Sequence, residues 1–207
     1  MPRFFAKNCE LRAYSHAEPV RSTRGMSSLP LMQSRRAVTD PLVRVVFSEI
    51  ESELGFDLVP NIFRVMAAVP EILDAHWCHV RAALLRGDID RKTKDMIGLM
   101  LSVVHATPYT RALCLQSLTR RGVDFDVMGL LVRGELHMGA LSKRETAILR
   151  FARAIALRDG KVRDEDYVAV YDVGVTFPET LEIASVVELF TSLDRFAEVA
   201  RVPVDLW

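Results

Sequence analysis

An all-α fold is what this sequence predicts, on three observations. From Asp40 onward, apolar residues return at helical spacing, caps, prolines and glycines start and stop the periodic stretches, and no stretch carries convincing strand alternation. At 207 residues, half of them apolar, the chain is long enough to bury a sizeable core in one domain or a small two-lobed one. A mean hydropathy of +0.14 without a membrane-length apolar run points to subunit interfaces as well as a core.

Residues 1–40 read differently. Arg3, Lys7, Arg12, Arg21, Arg24, Arg35 and Arg36 face only Glu10, Glu18 and Asp40, with no sustained helical period, so a loosely ordered basic arm is expected there. Residues 41–207 are expected to form one helical domain. Asp40-Pro41 reads as an N-cap followed by a first-turn proline, opening a helix with Val43, Val46, Phe47 and Ile50 on one side and a stop near Gly55. Pro60 to Ala68 is a short apolar element, and Pro70 opens a helix running to about Gly87.

From about Arg91 to Ala106, Met96, Met100 and Val103 share one stripe, while Asp95 and Ser102, seven apart, share another. Thr107-Pro108 is a cap and first-turn proline for the next helix, which Gly122 stops. Ser142 with Glu145 and Thr176 with Glu179 are capping-box pairs opening two more, and a further helix is expected from near Asp164 to near Gly174. The last helix should run from about Phe177 to Val199, with Leu181, Ala184, Val187 or Glu188, and Phe190 or Thr191 recurring along it.

Charge and cysteine usage remove several function classes. Lys plus Arg equals Asp plus Glu at 27 each, which gives no bulk attraction for nucleic acid or an acidic membrane. Cys9, Cys78 and Cys114 are odd in number and widely spaced, the usage of a cytosolic chain, and MPRFFAKNCELR lacks the apolar core of a signal peptide. A cytoplasmic location with no membrane and no nucleic-acid partner is therefore expected. A Gly-rich phosphate loop, a nucleophile elbow and HExxH are all missing.

One segment carries a recognisable frame. Asp95 to Cys114 reads DMIGLMLSVVHATPYTRALC: an acid, eleven residues, Thr-x-x-Thr, three residues, Cys. This resembles the signature of the alkylhydroperoxidase and carboxymuconolactone decarboxylase family, which has an acid, Cys-x-x-Cys and His at that spacing. Thr107 and Thr110 fall where the family's cysteines stand, and Cys114 where its histidine stands. VPNIFRVMAAVPEIL resembles the family's entry segment. ELFTSLDRFAEVARVPVD is similar to its closing helix, usually Leu-Phe-Asn-x-x-Asn-Arg, with Thr191 and Asp194 for the asparagines and Arg195 kept. Met26-Ser27-Ser28-Leu29-Pro30 resembles the family's usual start, so residues 1–25 would be an extension.

The resemblance implies an alkylhydroperoxidase-like helical bundle with a helical-hairpin core, and a homo-oligomer, commonly a dimer, trimer or hexamer, with the closing helix as contact surface. It also implies loss of the family's peroxidase reaction, in which one thiolate attacks a peroxide and the other resolves the product as a disulfide. A threonine hydroxyl can do neither.

The candidate site residues each have two readings. Thr107 is an N-cap accepting from the backbone N–H of Tyr109 or Thr110, or a remnant of a reactive position. Thr110 and Cys114, four apart, share a helix face, where Cys114 is either a small apolar filler or a lone nucleophile. Asp95 is either an acid of a proton relay or the partner of Arg91 or Lys94 in an ion pair. His105, near a helix C-terminus, would need Asp95 or Tyr109 within reach to act as a base. Asp194, if turned inward, would require a donor that Arg195 cannot supply. His76 and His79 could share a face in AHWCHV, but Cys78 points elsewhere, and neither a metal site nor a cofactor is expected. His137 falls in an expected inter-helix loop.

Three functions follow in order. The first is non-redox acid/base chemistry on, or binding of, a small carbonyl or carboxylate compound, with Asp95, His105 and Tyr109 as its groups, of lyase or isomerase type if the chain is an enzyme. The second is a catalytically silent oligomeric scaffold. The third is a residual one-cysteine hydroperoxide reductase using Cys114.

Overall fold

The computed structural model describes residues 40–56, 58–136, 139–157 and 161–206. The basic arm expected over residues 1–39, the Met26–Pro30 start and His137 lie outside the described residues. Among those described, the chain forms α1 (Pro41–Glu53), α2 (Asn61–Met66), α3 (Pro70–Val80), α4 (Arg91–Val104), α5 (Pro108–Arg120), α6 (Phe125–Val132), α7 (Lys143–Leu157), α8 (Asp164–Tyr171) and α9 (Phe177–Val199), and no strand.

The start signals act as local chemistry requires. Asp40 accepts from the amides of Leu42 at 2.8 Å and Val43 at 3.4 Å, and Asp90 accepts from Thr93 at 3.0 Å. Ser142 and Glu145 exchange hydrogen bonds at 2.8 and 3.1 Å, and Thr176 and Glu179 do the same at 2.7 and 3.4 Å.

α4 runs through the middle, packed against α5, α6, α7 and α9. Thr93 to Ser102 are buried without interruption, which is why two stripes described its sequence poorly. Gly98 admits α9: a Cβ there would lie 2.3 Å from the Phe190 ring. On the other side of the core, Trp77 is fully buried edge-on to Phe63, with ring centroids 6.0 Å apart, and its indole N–H donates to Glu49 at 2.7 Å.

Three elements differ from the sequence expectation. The helix from Pro70 does not run smoothly to Gly87: after α3, residues Arg81–Leu85 widen into a π-helical turn. Gly87 then takes a φ of +94°, and any Cβ there would strike the Glu182 carboxylate, which accepts from the amides of Asp88 and Ile89 at 2.8 and 3.1 Å. α6, capped by Asp124 on the Asp126 amide at 2.9 Å, is a helix that the sequence reading did not place. On α9 the buried face is Thr180, Ile183, Val187, Phe190, Asp194 and Ala197, while Leu181 points to solvent.

The hinge between α4 and α5 positions the site. Thr107 N–H donates to Ser102 O at 2.9 Å and Ala106 N–H to Val103 O at 3.2 Å, the double closure of a Schellman turn. That turn requires a left-handed residue, and the position is held by Ala106 at φ +56° where glycine would be unstrained. The chain thereby reverses within three residues, setting His105 and Thr107 side by side at the edge of α9.

Candidate functional site

The sequence-selected residues divide into three groups that do not converge. Asp95 is 2% exposed and fully engaged. Its Oδ1 accepts from Arg91 Nε at 3.0 Å, and its Oδ2 accepts from Arg121 Nε at 3.0 Å and Ser117 Oγ at 2.6 Å. The ion pair foreseen with Arg91 is present but buried. Lys94 turns away to Arg86 O and to Glu182, 3.1 Å from its carboxylate. Ser117 on α5 and Arg121 at its C-cap, four apart, were missed, although with Cys114 they form the stripe that faces Asp95.

Tyr109 belongs to a second cluster. Its hydroxyl donates to Asp205 Oδ2 at 2.8 Å and accepts from Ile62 N–H at 3.0 Å, while Asp205 Oδ1 accepts from Asn61 N–H at 2.7 Å. Burial, followed by the Asp205 charge, pushes the phenol well above its ordinary pKa. Burial also raises Asp205, against the hydrogen bonds from Asn61 and Tyr109. This clasp fastens the C-terminal segment onto α2 and α5. Asp205 escaped the sequence reading because nothing local marks a carboxylate 96 residues from its partner.

Cys114 is 2% exposed, and its thiol is pushed well above the usual range, chiefly by burial and then by the Asp95 and Asp194 carboxylates, with Arg91 opposing. The space beside it, lined by Asp95, Cys114, Ser117, Phe190 and Leu193 among others, amounts to about 20 Å³. That is about the size of a single water and too small for a substrate.

His105 forms the third group with a residue on α9. Its Nδ1 lies 2.6 Å from Asp194 Oδ2, on a carboxylate that is 2% exposed. His105 therefore has neither Asp95 nor Tyr109 beside it, as the sequence reading required of a base, but Asp194, and Asp194 has the donor that its burial demands. With Asp194 ionised and the imidazole neutral, the carboxylate accepts, Nδ1 carries the proton and Nε2 the lone pair. Burial raises the Asp194 pKa above its ordinary value, against the influence of Thr110, His105 and Thr107.

The two threonines flank this pair. Thr107 does not cap α5: its hydroxyl reaches only His105 O, at 3.5 Å, so the helix starts at the foreseen place without the foreseen bond. Thr110 is fully buried beside Asp194, and its hydroxyl opposes the rise that burial imposes on that carboxylate. Outside them opens a cleft of about 580 Å³ lined by His105, Ala106, Thr107, Asp194, Arg195, Glu198 and Val199.

The other histidines lie elsewhere. His76 holds Ile72 O at 2.9 Å and packs on Phe196, and among the described residues no three His, Cys, Asp or Glu side chains gather around a common centre suited to a metal ion. Among the same residues, no helix is long and apolar enough to cross a membrane.

This helix order, with the α4–α5 hairpin against a long closing helix, defines the chain as an all-α protein with the alkylhydroperoxidase-like fold of peroxidase-related proteins. It is similar to an uncharacterized peroxidase-related protein with an alkylhydroperoxidase AhpD core from Ralstonia eutropha JMP134, at 21% identity and a TM-score of 0.75 over 87% of this chain and 93% of that one. A peroxidase-related protein from Silicibacter sp. TM1040 matches at 20% identity and 0.72, covering 86% and 91%. The debrominase Bmp8, in complex with 2,3,4-tribromopyrrole, matches at 19% and 0.71, covering 86% and 92%. At these identities the likeness is one of fold. No family model matches the sequence, and no curated protein matches it.

Proposed function

We propose that this chain is a carboxymuconolactone decarboxylase-like protein without dithiol chemistry, performing non-redox acid/base chemistry on, or binding, a small carbonyl or carboxylate compound in the cleft at His105. The observation that carries the reading is the 2.6 Å contact from His105 Nδ1 to buried Asp194 at the wall of a 580 Å³ opening. Asp194 holds the imidazole in one tautomer and stabilises the imidazolium, leaving Nε2 as the proton acceptor. Arg195, on the same wall, makes no ion pair with a described residue and suits a carboxylate. Asp95 and Tyr109 have less support as chemical groups, since both are buried and held in hydrogen bonds away from the cleft.

The scaffold alternative has an observation of its own: the space beside Asp95 and Cys114 is filled by side chains. In either case assembly into a homo-oligomer is part of the proposal, with Phe177, Leu181 and Val199 exposed on α9. The one-cysteine peroxidase has the weakest support, because a buried thiol with a raised pKa supplies little thiolate.

The test is deuterium exchange at the methyl group of pyruvate in D₂O, followed by proton NMR. A positioned general base accelerates such transfers by roughly 10²–10⁴-fold. Acceleration lost in His105→Ala and reduced in Asp194→Asn supports the enzyme. Equal rates for wild type and His105→Ala would end the acid/base reading in favour of the scaffold.

A further inference from the structure

Two strained residues bracket the cleft. Among the described residues, the left-handed region is held without glycine at Ala106 and Arg201, with φ of +56° and +48°. Each costs free energy that surrounding contacts must offset, and such residues cluster where a site needs a fixed geometry. Ala106 lines the cleft, and Arg201 lies two residues beyond Val199, the last α9 residue in its wall. At Arg201 the chain closes a second Schellman turn: Arg201 N–H donates to Glu198 O at 3.2 Å and Val202 N–H to Ala197 O at 2.9 Å.

The chains leaving the two turns meet. From the first, α5 begins at Pro108 and carries Tyr109; from the second, the segment after Val202 leads to Asp205, which accepts from the Tyr109 hydroxyl at 2.8 Å. Asn61 N–H donates to Asp205 at 2.7 Å, Ile62 N–H donates to Tyr109 at 3.0 Å, and Asn61 Nδ2 donates to Pro203 O at 3.1 Å. Pro60 gives α2 no side-chain cap, so the clasp also satisfies the first two amides of that helix. Asp205 and Tyr109 are 6% and 3% exposed, and loss of either strands a buried partner.

The 2.6 Å contact between His105 and Asp194 joins the same two segments as this clasp. Tyr109 lies four residues past His105, and Asp205 eleven past Asp194. A displacement of about 1 Å between the turns would carry the imidazole out of hydrogen-bonding range of its carboxylate.

We infer that Tyr109 and Asp205 are positioning residues: their hydrogen bond fixes the turn at Ala106 against the turn at Arg201 and so holds His105 on Asp194. This rests on the cleft reading above and adds two residues outside the cleft that act through its imidazole. Tyr109 serves the site from behind, through the first turn of α5.

The experiment is proton NMR of the full chain in water, well below its melting temperature. A histidine N–H donated to a carboxylate at so short a distance resonates far downfield of the amides, and His105→Ala assigns the signal. In Tyr109→Phe and in Asp205→Ala the signal is expected to move upfield or broaden away. The double variant should do no more than the worse single one, because both remove the same contact. Asp205→Asn keeps an acceptor for the Asn61 amide and should lose less; as the mildest change it carries the test if either of the others does not fold. Asp40→Ala, which uncaps α1 away from the clasp, should leave the signal in place. Circular dichroism establishes that each variant is folded. Pyruvate exchange on the same samples should fall roughly 10- to 100-fold in the clasp variants, the scale of a misplaced catalytic group.

An unchanged signal in the folded clasp variants would overturn the inference, whatever happens to exchange. So would an equal loss in Asp40→Ala, which would assign the effect to general destabilisation. A signal lost only in the clasp variants, with no exchange even in wild type, keeps the positioning role and ends the acid/base reading. No downfield signal in wild type would overturn both.

Discussion

Replacing Asp95 with alanine separates a structural carboxylate from a catalytic one. In the native chain Asp95 receives three hydrogen bonds, two from guanidinium groups at 3.0 Å and one from Ser117 at 2.6 Å. At an effective dielectric of about 20, each ion pair is worth roughly 4 kcal/mol before desolvation, and burial of the carboxylate consumes much of that. What alanine reveals is the cost of stranding the partners, about 3–5 kcal/mol for a buried pair. Arg121 is 36% exposed and can rehydrate, which places the expectation near the lower bound, about 3 kcal/mol.

For a chain of this length that corresponds to a fall in melting temperature of roughly 6–12 °C. Asp95→Asn keeps the shape and one acceptor but turns an amide N–H toward a guanidinium, and should lose about 2 kcal/mol. Urea and thermal denaturation provide the stability values, and pyruvate exchange on the same samples provides the activity. Stability changed by less than about 1 kcal/mol, a surface-pair value, together with abolished exchange, would refute the structural assignment and return Asp95 to the proton relay.

Gly98→Ala should destabilise the fold by about 1–3 kcal/mol through its collision with Phe190, and Gly98→Ala with Phe190→Leu should recover part of the loss in a urea melt. Ala106→Gly should stabilise by about 1 kcal/mol by releasing the left-handed strain at φ +56°, read by the same melt. Hydroperoxide turnover with a dithiol reductant should be absent in wild type and Cys114→Ser alike, and mass spectrometry after iodoacetamide should find exposed Cys78 alkylated and Cys114 protected until denaturant is added.

Stability should also fall on both sides of a mildly acidic optimum. Burial alone would raise Glu182, but the Asp88 and Ile89 amides and Lys94 hold it below its ordinary value; Lys92 and Ser142 do the same for Glu145. The contribution of these two is present above the unfolded pKa and lost as pH falls through the native one. Asp194 and Asp205 are raised, chiefly by burial, so their contribution is present in acid and lost as pH rises through their native values. Denaturation midpoints measured across the acid range check the sign.

Helix type and order, α6 apart, were legible because caps and periodicity are local. Asp40, Ser142 and Thr176 announced their helices from four-residue windows, and the frame from Asp95 to Cys114 placed the α4–α5 hairpin. The π-helical turn over Arg81–Leu85 was not legible in the helical periodicity, and the Glu182 carboxylate that holds the amides of Asp88 and Ile89 lies 94 and 93 residues away on α9. The outward turn of Leu181 is equally non-local: α9 packs Phe190 against Gly98 of α4, and Leu181 falls on the other face. The site divided in the same way. Burial of Asp194 and its need for a donor could be posed from sequence, but the donor, His105, lies 89 residues away on another helix.

The two buried carboxylates show why the chemistry belongs at the end of α4 and not at its middle. Asp95 has both oxygens occupied by three donors and no opening beside it larger than a water. To accept a proton it would have to break bonds that stabilise the hairpin. Asp194 has one oxygen on an imidazole and an open cleft outside. The hydroxyls of Thr107 and Thr110 lie beside this carboxylate, and a hydroxyl contributes what a thiol does poorly: a short, directional hydrogen bond to a carboxylate. A threonine hydroxyl forms no thiolate-like anion near neutral pH to attack a peroxide, and Thr107 and Thr110 instead oppose the rise that burial imposes on the Asp194 pKa. The α4–α5 hairpin therefore holds an imidazole against a buried carboxylate at the edge of an open cleft.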